Sequence, residues 1–137
     1  MNALHPTETQ VQAFLAQPDG EPVFMLNLLK FKDAATYESG EAVSGREAYS
    51  RYAKAFGEML RDLDVEGVET VFGGNANTVL IGYPGQGGWD AVAMVRYPDA
   101  KTMFNIVSSE HYRSIHFHRK AGLQGQMLIS CDGQGVF

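Results

Sequence analysis

The chain has 137 residues, of which 45% are hydrophobic and 20% charged, and a formal net charge of −5. That length suits a single domain, the apolar share excludes wholesale disorder, and the one cysteine, Cys131, excludes an intramolecular disulfide framework and suits a reducing, cytoplasmic compartment. No apolar run nears the roughly 20 residues of a membrane span, no secretory signal is expected at Met1–Gln10, and the acidic balance argues against a nucleic-acid partner.

Thr7-Glu8-Thr9-Gln10 reads as a capping box that opens a helix through Val11, Phe14 and Leu15. Gln17-Pro18-Asp19-Gly20 stops it. Residues 1–20 are therefore an N-terminal helix and linker, and 21–137 a single α+β domain. Val23 to Phe31 has strand length and apolar residues on both faces, so both faces should be covered.

Asp33 to Gly45 is polar and reads as a loop. Ser44-Gly45-Arg46-Glu47 is a second capping box. It opens a helix whose apolar stripe is Tyr49, Tyr52, Ala53, Phe56, Leu60 and Leu63, with Glu47 and Arg51 paired on the opposite face. Gly57 costs this helix about 1 kcal/mol relative to alanine, which implies a close packing partner there.

Val68–Phe72 and Thr78–Ile81 read as strands around Gly73-Gly74-Asn75. That interruption fits a bulge or a tight turn, and the bulge is favoured. Tyr83 to Gly88 is a loop, and Trp89 to Tyr97 a strand. Asp99 caps the next helix, which buries Ala100, Met103, Phe104 and Val107. Ser108-Ser109-Glu110 restarts a helix to about Lys120, and Ala121-Gly122 offers a left-handed terminator. Gln126 to Cys131 is the last strand, with Cys131 as a small buried hydrophobe.

After the first helix the order is strand, helix, strand, strand, helix, strand. This is the ferredoxin-like βαββαβ pattern with an antiparallel sheet. Its helices cover one sheet face only. The other face would also be apolar here, and soluble monomers rarely expose such a patch. The expected partner is a second copy, the two sheets packed face to face, with one pocket per subunit between sheet and helices.

Charge is uneven: residues 1–70 carry a net of −6 and residues 71–137 a net of +1. His111, His116 and His118 lie in the second half beside Arg113, Arg119 and Lys120. Residues 116 and 118 point to different helix faces, and 111 and 118 are about 10 Å apart. No metal site is expected, and no metal or cofactor motif is present. An acid–base histidine fits better, with His111 first because it stands in the opening turn of its helix. His118, Arg119 and Lys120 fit the negative end of that helix. Asn27 interrupts an apolar strand, where an amide needs partners and could orient a ligand. Arg96 shares a strand face with Val92 and Met94 and could clamp a carboxylate. Trp89 and Tyr83 could line a ligand pocket, while Tyr49 and Tyr52 fit the core.

Asn27-Leu28-Leu29-Lys30-Phe31, Ser44-Gly45-Arg46-Glu47-Ala48-Tyr49, Tyr97-Pro98-Asp99 and Ser108-Ser109-Glu110-His111-Tyr112 follow in order. Together they resemble the bacterial domain-of-unknown-function family thirteen-thirty, over about residues 21 to 132. The resemblance implies a dimeric α/β barrel. That superfamily includes small monooxygenases, haem degraders, isomerases and haem peroxidases, so the fold alone does not assign a reaction. The resemblance fits small-molecule binding or catalysis, as cofactor-free proton transfer or oxygenation of a small hydrophobic acid; from their own placement among apolar neighbours, Asn27 would orient the substrate, Arg96 hold an anionic group and His111 move a proton. The alternatives are a non-catalytic ligand-binding or structural dimer, and a haem-degrading monooxygenase built on an Asn, Trp and His set.

Overall fold

A computed structural model describes residues 4–82 and 88–135. Chain order is α1 (Glu8–Leu15), β1 (Val23–Phe31), α2 (Gly45–Asp62), β2 (Glu69–Asn75), β3 (Ala91–Tyr97), α3 (Ala100–Val107), α4 (Glu110–Gly122) and β4 (Leu123–Asp132). The four strands form one antiparallel sheet in the order β2-β3-β1-β4, the split βαβ arrangement expected from the sequence.

Local chemistry explains the helix starts. Thr7 Oγ1 accepts from Gln10 N while Gln10 Oε1 accepts from Thr7 N, a complete capping box. Ser44, Asp99 and Ser109 cap α2, α3 and α4 through the amides of Glu47, Thr102 and Tyr112. The box at Ser44 is only half formed, because the Glu47 carboxylate turns to Arg51 instead. Asp99 also accepts from Gly20 N at 2.8 Å, which ties the linker after α1 to the start of α3.

The strand period sorts the side chains. Val23, Met25, Leu29 and Phe31 of β1 are buried beneath the helices. Val23, Met25, Met59, Tyr97, Ala100, Ile106 and Ile115 make the main core. Leu29, Phe31 and Leu123 make a smaller one beside Tyr49 and Ala91. The even positions Phe24, Leu26 and Leu28 point to the other face with Val92, Met94, Phe72 and Ile129. There Phe72 is 59% and Ile129 41% exposed. The second face is thus apolar and bare in a single chain.

Several expectations change. The buried face of α2 is rotated from the expected stripe: Ala48 and Met59 are fully buried, whereas Ala53 is exposed and Leu63 half-exposed. Met59 lies between the expected apolar positions and reaches the core on its long flexible side chain. Nothing lies within 4 Å of a Cβ built on Gly57, so no packing partner explains that glycine. The tight approach is elsewhere. A Cβ on Gly122 would meet Gly45 O at 2.5 Å and Tyr49 N at 2.9 Å. Gly122 therefore lets α4 cross α2 closely. It does not end α4 in the left-handed region, because its carbonyl is taken by Lys32 N at 2.8 Å and the chain runs straight into β4.

Gly73 and Gly74 are ordinary ladder residues of β2, opposite Ala93 and Val92, and form neither bulge nor turn. The irregularity falls one step earlier, between Thr70 and Phe72. Thr78–Ile81 pairs with no strand among the described residues. Cys131 is half-buried on the open sheet face rather than in the core.

Candidate functional site

Asn27 is the one polar side chain on the covered face of β1. Its cross-strand neighbour is Ala93, and Ala93 in turn faces Gly73 on β2. The row beside the amide thus carries only small side chains. Asn27 Nδ2 donates to Met25 O at 3.1 Å and Ala93 O at 3.3 Å. Asn27 Oδ1 accepts from Gln126 Nε2 at 2.7 Å. Both ends of the amide are satisfied, so its orientation is set.

The relay continues. Gln126 Oε1 accepts from Arg119 of α4. Arg119 also donates to Leu4 O at 2.8 Å and contacts His116 Nε2 at 3.4 Å. His116 lies between the rings of Tyr112, at 5.6 Å, and His5, at 5.8 Å. Tyr112 Oη and Tyr52 Oη are 3.0 Å apart, and the Tyr49 ring packs at a tilt against both Tyr52 and Phe31. A guanidinium, an imidazole, two amides and three phenols thus converge between the sheet and the α2–α4 layer.

Electrostatics follow from burial. Desolvation raises the Tyr49 hydroxyl to about 12, against the opposing pull of Arg119. Desolvation, then the charge on Arg119, lowers His116 below the ordinary histidine value. That imidazole is therefore neutral near pH 7, with Nε2 facing the Arg119 guanidinium. No carboxylate pairs with Arg119 among the described residues.

The other expected site residues stand apart. His111 is on α4, but its Nε2 is 3.1 Å from Asp62 Oδ2 at the end of α2. It lies about 12 Å along the helix from Arg119, eight residues at 1.5 Å each. The Asp62 hydrogen bond, the largest influence, raises its pKa. Arg96 projects on the open sheet face and donates to Gly67 O at 3.1 Å. Trp89 lines a cavity of about 210 Å³ with Leu28 and Val92, again on the open face. Tyr83 lies outside the described residues. The structure does not bring Asn27, Trp89 and a histidine together.

The three histidines of α4 go three ways. His118 Nδ1 is 2.6 Å from Tyr37 Oη, His116 meets Arg119, and His111 meets Asp62. Desolvation and then Arg51 lower the His118 pKa, so it is not a cation at the helix end. Arg119 turns inward for the same position in the helix period as Tyr112. Among the described residues no three His, Cys, Asp or Glu side chains gather as metal ligands, and no helix is long and apolar enough to cross a membrane.

Sequence reasoning passed over Gln126 and Tyr112 as site residues, weighed His116 only as a metal ligand, and gave Arg119 to the helix end, whereas the structure turns it inward. The signal was present: Tyr112, Ile115, His116 and Arg119 recur at the i, i+3, i+4, i+7 spacing of one helix face. Gln126 shares the strand alternation of Leu128 and Ser130.

No protein-family model matches the chain, and no curated protein matches it. Among solved structures it is similar to a protein of unknown function, RPA0582, from Rhodopseudomonas palustris. The two are 27% identical, with a TM-score of 0.84 over 98% of this chain and 99% of that one. The methylated form of RPA0582 gives 28% identity and a TM-score of 0.85 over 99% and 98%. A dimeric protein of unknown function and ferredoxin-like fold from Bacteroides fragilis shares the fold at 11% identity, with a TM-score of 0.53 over 81% of this chain and 95% of that one.

Proposed function

We propose that the small side chains beside Asn27 form a shelf that binds a small, flat organic anion, and that Arg119 supplies its counter-charge. The observation that carries this reading is Arg119 itself. A part-buried guanidinium without a carboxylate partner among the described residues keeps an uncompensated charge, which costs free energy unless an anion can join it. The tyrosines and His116 form an aromatic cluster beside Arg119, suited to an aromatic body. Asn27 and Gln126 hold the guanidinium in place rather than meeting the anion alone.

In a catalytic version of this reading His116 is the base, neutral near pH 7, and an anion bound at Arg119 offsets the guanidinium charge that opposes its protonation. His111 then serves as a link between α2 and α4. The subunit works as half of a homodimer closed through the bare sheet face, in the manner of the dimeric α/β barrels. The likeness to the family numbered thirteen-thirty rests on the four sequence motifs that it shares in order.

The test is a thermal-shift titration with benzoate and 1-naphthoate as probes. Wild type is expected to melt higher with saturating probe, and Arg119→Met to melt at one temperature with or without it. An equal rise in both proteins would remove Arg119 from the site. No rise with either probe would end the reading of an aromatic-anion shelf.

A further inference from the structure

Both hydrogens on Arg119 Nη2 are in use. One goes to Gln126 Oε1 and the other to Leu4 O at 2.8 Å. A carboxylate meets a guanidinium at two points either end-on, through both Nη atoms, or side-on, through Nε and Nη2. Each approach uses Nη2. An anion therefore gains a two-point grip on Arg119 only when one of the present acceptors leaves.

The two acceptors are not equally held. Gln126 is fixed by Asn27 behind it, and the Asn27 amide is committed to two strand carbonyls. Leu4 O belongs to the short segment before α1. As a neutral carbonyl it satisfies the hydrogen bond but leaves the guanidinium charge uncompensated, whereas a carboxylate does both.

Leu4 also fills the apolar part of the site. Its half-buried side chain packs on Leu29, Phe31 and Leu123, the cluster on which Tyr49 packs as well. The next ring, His5, stands 5.8 Å from His116. A single residue thus sets an oxygen on Arg119 and an aliphatic body on the neighbouring floor, the two features asked of the ligand.

The segment is delivered by a fixed tether. The capping box at Thr7 holds the start of α1, and beyond α1 Gln17 Nε2 donates to Ser130 Oγ of β4 at 3.0 Å and Gly20 N to Asp99. Pro6 restricts its own backbone and that of His5, so Leu4 is presented in few conformations. Tethering keeps the carbonyl at high effective concentration, which lets one modest contact compete with a free ligand.

We infer that Leu4–Pro6 is a built-in competitor for the anion proposed above at Arg119: Leu4 occupies the guanidinium and its apolar floor in the empty site, and an incoming carboxylate displaces it. Affinity for the anion is then set by how firmly this strap is seated, because binding draws only on molecules whose strap is released.

Isothermal titration calorimetry with benzoate compares wild type, Leu4→Ser and Arg119→Met. Leu4→Ser takes the side chain off the floor and loosens the strap. It is expected to bind benzoate about 5- to 10-fold more tightly than wild type, and Arg119→Met not to bind. Proton NMR of wild type reads the strap directly. Nuclear Overhauser contacts between the His5 and His116 rings are expected in the free protein and lost at saturating benzoate. A Leu4→Ser protein that binds benzoate no more tightly than wild type overturns the strap and leaves the anion at Arg119 standing. Ring contacts that persist at saturation, or that are missing in the free protein, overturn it equally and need no variant. Benzoate that binds neither wild type nor Leu4→Ser overturns the anion reading and the strap together.

Discussion

Gln126 Nε2 donates to Asn27 Oδ1 at 2.7 Å, one diagonal step across the β1–β4 ladder. The contact orients two amides at once. Asn27 has its own NH₂ committed to Met25 O and Ala93 O, so only its oxygen faces Gln126. Gln126 must then present its oxygen to Arg119. The direction of donation is settled from the sheet outward, and it ends on a cation.

Breaking that relay at its root should cost stability as well as binding. Asn27→Ala leaves Gln126 Nε2 and two strand carbonyls each short of one partner. A loss of about 1–3 kcal/mol is expected for a part-buried group left unpaired. Urea unfolding checks it, and a midpoint equal to wild type would show the relay to be ornamental.

The glycines sort by what a methyl group would meet. Gly122→Ala places Cβ 2.5 Å from the Gly45 carbonyl and forces α2 and α4 apart. A loss of about 1–3 kcal/mol or more follows from such overpacking against backbone. Gly57→Ala meets open space in mid-helix and should stabilise by about 0.5–1 kcal/mol. Opposite movements of the two melting temperatures are the expected result.

The His111–Asp62 contact makes stability depend on pH. The folded-state pKa of His111 is raised by the Asp62 hydrogen bond. Its contribution is complete below the unfolded value of 6.5 and fades as pH rises through the folded value. Asp62→Asn should therefore lower the melting temperature more at about pH 5.5 than at about pH 8.5. In NMR titration the His111 pKa should fall toward its ordinary value in the variant. An unchanged His111 titration would show the contact to be absent in solution.

His116 and His118 act with the opposite sign. Both have folded-state pKa values lowered, first by desolvation, and then by Arg119 and Arg51 respectively. The unfolded chain takes up their protons first as pH falls below 6.5, so they withdraw stability on acidification. His118→Gln should flatten that loss, at the expense of the Tyr37 contact at neutral pH. Melting curves between about pH 7.5 and 5 check the slope, and a steeper acid loss in the variant would contradict it.

Much of the fold was legible because its determinants are local. The four helix caps depend on residues three apart, and the identity of β1 on nine consecutive apolar-rich positions. The order of elements then admits the antiparallel split βαβ sheet. The sequence also placed Asn27 among apolar neighbours, where an amide must find partners.

Tertiary structure decided the rest, because those questions turn on rotation and crossing rather than on spacing. Which of three histidines meets the Asn27–Gln126–Arg119 relay depends on how α4 is turned about its axis. That turn is set by the Gly45–Gly122 crossing and brings Arg119 and His116 inward while leaving His111 to Asp62. Arg96 and Trp89 went to the bare face by strand alternation, a parity that a sequence shows only once the covered face is known. Thr78–Ile81 has the residues of a strand but no paired edge among the described residues. Propensity is a property of the segment, whereas pairing needs a second backbone 4.7–4.9 Å away.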